Sequence, residues 1–408
     1  ILVRHPAKRT EASGVVFVDI YNASNGYDIE DMWRRLYTNI LEEGHTYVGV
    51  TSKPINVDAL YNFDWERYQD LSWYDDDTCE VGPVTFTNPF QEIPCTETGL
   101  VWDILTQTGN ALRDPVVGRQ ILGGTPARSI FLIGQSQSSM YLNTYVNNFH
   151  YPVQDAVGDN VWDGYLSAAG NWIMRPLNDA EGGAGGLVAL EGPAVPVDVD
   201  VPWISIDSEA DVPLFDGLLP GDASPTAPRD LAENTRVWQI PGTGHTYSMS
   251  PVVPDNAELI KAGRPPRTFP TVYTPYPMEP AMIAAGQALI DNHQKGKALP
   301  ATAWFERDET GALVRDDHNN VLGGVRYGLM ELPLAQFLGF AYPGDMNGVA
   351  YPISQEEFYE NWNNRKQYLA QQRAFDNRLR QQGYLTADGQ ALFAERAGLV
   401  LDLIGITR

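Results

Sequence analysis

Apolar residues first gather in an unbroken run, Val15-Val16-Phe17-Val18 followed by Ile20 and Tyr21, and this pattern predicts a strand over 15–22 that is buried on both faces. Apolar positions then recur at helical spacing, at Trp33, Leu36, Tyr37, Ile40 and Leu41, which predicts an amphipathic helix capped by Asp28 and stopped at Gly44. Thr46 to Thr51 returns to a short strand-like run. Strand, helix and strand joined by short links are the grammar of a parallel sheet. The alternation resumes with a helix over 102–113, a strand over 130–133 and a helix over 138–148. Strands follow over 162–168, 203–207 and 236–240, then a helix over about 279–294 and a charged helical region over 355–403. The expected fold class is α/β, a mostly parallel central sheet flanked by helices, in one domain spanning 1–408. Residues 54–100, 171–200 and 212–235 lose periodicity, yet each leads straight back into a core element. They read as cap or lid insertions rather than linkers.

The sharpest chemical signal lies where the strand over 130–133 meets the helix after it, in Ile133-Gly134-Gln135-Ser136-Gln137-Ser138. A serine on a tight strand-to-helix turn projects its hydroxyl above the sheet, provided its neighbours are small enough for strand and helix to approach. Ser136 is therefore the candidate nucleophile. Ser138 stands where the G-x-S-x-G pattern has its last glycine; Ser138 and Ser139 are alternative hydroxyls, though inside the helix. A serine hydroxyl needs a base. Of the six histidines, only His245 follows an apolar strand in a turn suited to delivering one, Pro241-Gly242-Thr243-Gly244-His245.

An imidazole acting as base needs a carboxylate to fix its tautomer. Ser208-Glu209-Ala210-Asp211 offers two acids after the strand over 203–207; Asp211 is the first choice, Glu209 the second, and Asp163 a distant third. The order serine, acid, histidine along the chain is one of the known orders of such a triad. Donors for a developing oxyanion are expected from the amide of Gln137 and from Asn22 and Ala23 in the turn after the first strand.

Composition narrows the partners. With 52 acidic residues against 28 basic ones the formal net charge is -24, a field that repels phosphate backbones and anionic membrane surfaces, so nucleic acid is excluded as an expected partner. No apolar run is long enough to span a bilayer. Cys79 and Cys95, the only cysteines, stand sixteen positions apart in a loop-like stretch and are expected to form a disulfide worth roughly 3 kcal/mol in the chain-entropy model. That bridge and the acidity point to a secreted or periplasmic protein, the alternative being a cytoplasmic one with two unlinked thiols, and the opening on Ile1 reads as a processed or trimmed product. Asp316-Asp317-His318-Asn319-Asn320 lacks the spacing of a calcium loop, and Gly323-Gly324 lacks the residues of a phosphate loop, so no metal and no cofactor are expected. Oligomeric state is left open.

Gly14-Val15-Val16-Phe17-Val18, the Trp33 helix followed by Gly44 to Val50, the Gly134 to Ser138 elbow, Ser208 to Asp211, Gly242 to His245 and Asn320 to Arg326 together resemble the broad family of bacterial α/β-hydrolase domain proteins. The resemblance covers nearly the whole chain. It implies the α/β-hydrolase fold and a triad of Ser136, Asp211 or Glu209, and His245, with further strands usual before the point where this chain begins. The expected reaction is cleavage of a small-molecule carboxylic ester through an acyl-enzyme. A lactonase, amidase or acyltransferase with the same triad, or a binding protein that keeps the fold without turnover, are the alternatives.

Overall fold

In the computed structural model, which describes residues 1–73, 84–87, 91, 93–178, 197–216, 224–246, 255–266, 274–342 and 345–407, the apolar runs become the inner strands of a sheet. The chain divides into two compact units. One comprises Ile1–Trp203, Ala232–Asn234 and Pro251–Phe269; the other comprises Ile204–Leu231, Thr235–Ser250 and Pro270–Arg408.

The first unit runs β1 (Leu2–Arg4), β2 (Val15–Ile20), α1 (Asp31–Glu42), β3 (Thr46–Val50), α2 (Pro54–Phe63), α3 (Trp65–Tyr68), α4 (Leu100–Arg113), α5 (Val117–Ile121), β4 (Ser129–Gln135), α6 (Gln137–Val157) and β5 (Gly164–Ala168). Its strands lie in the order β1-β3-β2-β4-β5. The pairs β2·β3, β2·β4 and β4·β5 are parallel, with Val18 opposite Val48 on one side and Leu132 on the other, while β1 runs antiparallel to β3 at the edge. Every residue of β2, β3, β4 and β5 is buried, as expected of strands covered on both faces. Helix α1 buries the stripe Met32, Trp33, Leu36 and Ile40.

Local expectations need several corrections. Helix α1 starts at Asp31 with Glu30 at the cap position. Asp28 instead accepts hydrogen bonds from Thr51 Oγ1 and Asn56 Nδ2, each at 2.6 Å, tying the turn after β2 to the end of β3. The first strand stops at Ile20, because Asn22 leaves it to pair with Ile29. Strand β5 starts at Gly164: Asp163 is drawn off by Ile130 N at 2.7 Å and by the Arg113 guanidinium at 2.8 Å. Helix α6 runs on to Val157, through Pro152, and ends at Gly158 in the left-handed conformation that its glycine permits. The stretch 54–100 is helical at its start, where Pro54 occupies the first turn of α2. Residues 74–83, including Cys79, and 179–196, including the glycine-rich run, lie outside the described residues.

The pieces of chain that return to the first unit include α8 (Asn256–Lys261), closed by a reciprocal capping box between Asp255 and Glu258. In the second unit β6 (Trp203–Ser208), which begins at the boundary, neighbours β7 (Thr235–Ile240), and α7 (Asp211–Phe215) follows β6 after a two-residue turn. Then come α9 (Glu279–Lys295), α10 (Gly328–Glu331), the antiparallel pair β8 (Ala335–Leu338) and β9 (Val349–Pro352), α11 (Gln355–Asn361), α12 (Arg365–Gln382) and α13 (Ala387–Leu403). Among the described residues no helix is long and apolar enough to cross a membrane.

On α12 the buried Asp376 accepts the Gly328 amide at 2.7 Å, and burial pushes its carboxyl up to about 6. A carboxyl raised in the folded state costs stability increasingly as pH rises from the ordinary value of 3.8, costs its full amount above about 6, and costs nothing well below 3.8. Asp376→Asn keeps the acceptor and removes the charge. The variant is expected to gain on the order of 2 kcal/mol near pH 8 and little near pH 4. Thermal melts at the two pH values check this, and a pH-independent difference would refute the burial argument.

Candidate active site

In the first unit the sheet and α6 converge on Ser136. The residue bridges β4 and α6 with φ 56 and ψ -123, a conformation that costs a residue bearing a Cβ on the order of 1 kcal/mol or more. Its amide donates to the Ala168 carbonyl of β5 at 2.8 Å, and its carbonyl accepts the Met140 amide at 3.1 Å, so the strain is held from both sides. Ser136 is half-buried while Gln135, Gln137, Ser138 and Ser139 are buried. The approach is tight: a Cβ on Gly134 would lie 2.8 Å from the Ser138 carbonyl oxygen, and one on Gly170 would lie 2.2 Å from Ser139 Oγ. The segment after β5 holds Ala169, Asn171 and Trp172 at φ values of 53, 46 and 63. Asn143 and Thr144 of α6 fasten that segment through the carbonyls of Ile173 and Arg175.

The turn after β2 is held by hydrogen bonds of its own. The Asn22 amide donates to the Ile29 carbonyl at 3.2 Å, and the Asn22 side chain spans the Gln135 carbonyl and the Ser24 amide. The Ala23 amide donates to Gln137 Oε1 at 2.9 Å. In this conformation each of these two backbone amides donates to an acceptor within its own unit. Gln137 lies at the first position of α6, where the amides of a helix have no acceptor within the helix itself.

In the second unit, the Nδ1–H of His245 donates to Asp211 Oδ1 at 2.5 Å. Both residues are buried. Asp211 Oδ2 accepts the Ser208 amide at 2.6 Å, and the Asp211 amide donates back to Ser208 Oγ at 3.2 Å, so the carboxylate is locked at the start of α7. Phe215 meets the imidazole edge-on with ring centroids 5.8 Å apart. Glu209 faces elsewhere. It accepts Arg315 Nη2 at 2.8 Å and the Gly242 amide at 2.7 Å, and burial pushes its carboxyl up. Burial likewise pushes Asp207 well up, with the charge of Asp211 adding to the effect.

The other described histidines have structural partners or exposed settings. His150 bonds Tyr165 through one ring nitrogen and Asp200 through the other; His45 bonds Ser13, and burial lowers it to about 4. Asp316 caps its own turn by accepting the amides of His318 and Asn320. Among the described residues no group of three or more potential ligands is placed to hold a metal. A cavity of about 690 Å³ in the second unit, beside Asp291, Lys297 and Arg380, and one of about 560 Å³ in the first, beside Arg4, Asp28 and Phe63, are lined by none of the candidate residues.

Sequence reasoning misses Lys53. It is buried with its Nζ 3.5 Å from Ser138 Oγ, and its only sequence signal is a lysine in the short link between β3 and the Pro54 turn.

Three solved structures are similar to parts of the chain. An alpha-beta serine hydrolase homologue from Coxiella burnetii is 11% identical over 60% of this chain and 82% of its own, with a TM-score of 0.27. An inhibited esterase B from Lactobacillus rhamnosis is 11% identical over 58% and 69%, with a TM-score of 0.30. The siderophore hydrolase EstB from Aspergillus nidulans is 10% identical over 51% and 61%, with a TM-score of 0.22. Superpositions this loose carry no argument about chemistry. No curated protein matches the chain. A family model for the alpha/beta hydrolase domain matches residues 1–394 of the 408, and the chain belongs to that family.

Proposed function

We propose that this hydrolase-family protein is a serine esterase in which Ser136 is the nucleophile, His245 the general base and Asp211 the acid that orients it. The observation that carries the reading is the backbone of Ser136, a left-handed residue with a side chain held under strain between β4 and α6. Such strain persists only where the surroundings impose it, and it gathers at reactive positions. The buried Asp211–His245 hydrogen bond supports the other half. With Nδ1–H donated to Asp211, the imidazole is in the tautomer that leaves its Nε2 lone pair to accept a proton.

In this mechanism Ser136 Oγ attacks the ester carbonyl as its proton passes to His245. The tetrahedral oxyanion takes the Gln137 amide as one donor. The Ala23 amide is the natural second donor, and it becomes available when Gln137 Oε1 releases it. Collapse expels the alcohol, which takes the proton from His245. Water, deprotonated by His245, then hydrolyses the acyl-enzyme.

A fluorophosphonate probe is expected to label the protein at Ser136 and nowhere else, as located by peptide mass spectrometry. Labelling at Ser138 or Ser139, or none with p-nitrophenyl esters left intact, would refute the assignment.

A further inference from the structure

Within the first unit an amine is buried beside the elbow, and no step above uses it. Lys53 follows β3 directly ahead of α2 and is 4% exposed. Its Nζ donates to the Tyr21 carbonyl at 2.6 Å and to Ser52 Oγ at 2.8 Å, and it reaches Ser138 Oγ at 3.5 Å. The same nitrogen lies 4.5 Å from the centre of the Tyr141 ring, one turn along α6. These hydrogen-bond partners are a carbonyl and two hydroxyls, an uncharged set for an ammonium removed from water, so its burial is costly and calls for a function.

The partners share a location. Tyr21 opens the turn that carries Asn22 and Ala23, and Ser138 stands in the first turn of α6, two residues beyond Ser136. Two other contacts tie the same turn to the elbow, Asn22 Nδ2 to the Gln135 carbonyl at the end of β4 and the Ala23 amide to Gln137 Oε1 on α6. Both of those are neutral; Lys53 adds the charged one. An ammonium has three N–H donors for its three acceptors, whereas a neutral amine has two.

Resting on the reading of Ser136 as nucleophile, we propose that Lys53 is a positioning residue whose ammonium form holds the Tyr21–Ala23 turn against the first turn of α6 and so sets where the oxyanion donors stand. The groups facing it bear on its charge. Asp28, from the turn after β2, and Asp19, from β2, favour the ammonium. Arg175, from the segment after β5, opposes it, as does burial, the largest effect; the amine is lowered to about 7. A lowered lysine is charged below that value and neutral above it, so turnover falls as pH rises through the neutral range.

The test follows kcat and KM from about pH 5.5 to 9 in wild type and Lys53→Met, with thermal melting and fluorophosphonate labelling alongside. Lys53→Met is expected to lose roughly 10²-fold in kcat, the scale of a lost oxyanion donor, with KM within about threefold and without the wild-type fall near neutrality. A kcat within about twofold of wild type, or a fall that persists unchanged in the variant, overturns the proposal. If Lys53→Met does not fold, Ser138→Ala removes the acceptor on α6; it is expected to shift that fall, and an unmoved profile overturns the proposal. Wild-type protein that is not labelled at Ser136 overturns the underlying assignment instead, and the two failures are thereby distinguished.

Discussion

Ser136→Ala is expected to lower p-nitrophenyl ester hydrolysis by roughly 10⁴- to 10⁶-fold and to abolish fluorophosphonate labelling, while leaving the melting temperature nearly unchanged. Stability is preserved because alanine keeps the Cβ, so the left-handed backbone at φ 56 is as strained as before and its hydrogen bonds to Ala168 and Met140 are untouched. Ser136→Gly separates the two roles of the position. It is equally inactive, but glycine adopts this conformation without penalty, so the variant gains up to about 1 kcal/mol in stability. An inactive Ser136→Gly that melts below wild type would show that the strain argument is misplaced. Full activity in Ser136→Ala would remove the nucleophile assignment altogether.

Asp211→Asn is expected to lower kcat by about 10³- to 10⁴-fold, since an amide neither stabilises an imidazolium nor fixes the required tautomer. Glu209→Gln supplies the contrast two residues away. The glutamine retains an acceptor for the Gly242 amide but loses the ion pair with Arg315, a pair buried on the Glu209 side and 23% exposed on the arginine side. Its loss is expected to cost on the order of 2 kcal/mol in stability, less than a wholly buried pair, and no more than severalfold in kcat. Steady-state kinetics and melting curves on both variants check the division. Equal losses of kcat would mean that Glu209 controls His245 as directly as Asp211 does.

How far the molecule is legible in its sequence depends on the range of the interaction concerned. Strands β2, β3 and β4 are legible because each is buried on both faces, and a run such as Val15 to Ile20 has no other way to hide its side chains. Strands β1, β8 and β9 are too short, at three or four residues, for any periodicity to emerge. Helix α2 is hidden by its mixed face, in which Asn56 and Asp58 are buried along with Ile55 and Val57. The elbow at Ser136 and the His245 turn are local and legible. The partner of His245 is less so: Asp211 and Glu209 share one loop, and only the direction of each side chain decides which meets the imidazole. The hydrogen-bond partners of the Asn22 and Ala23 amides are not encoded in residue type at all, and Lys53 lies 83 positions before Ser136, a distance no motif spans.

The buried carboxyls also alter the protein's heat of unfolding and its charge. Asp19 on β2 and Asp207 on β6 are both pushed well above the ordinary carboxylate range by burial, so each holds a proton at pH values where a free aspartate has lost it. Unfolding between the free and the folded-state values of these groups releases those protons to the buffer. The measured unfolding enthalpy must therefore vary with the ionisation heat of the buffer chosen, and these two groups make the fold less stable as pH rises. The formal charge of -24 counts every aspartate as ionised. Wherever Asp19 and Asp207 keep their protons, the native chain carries less negative charge than the unfolded one.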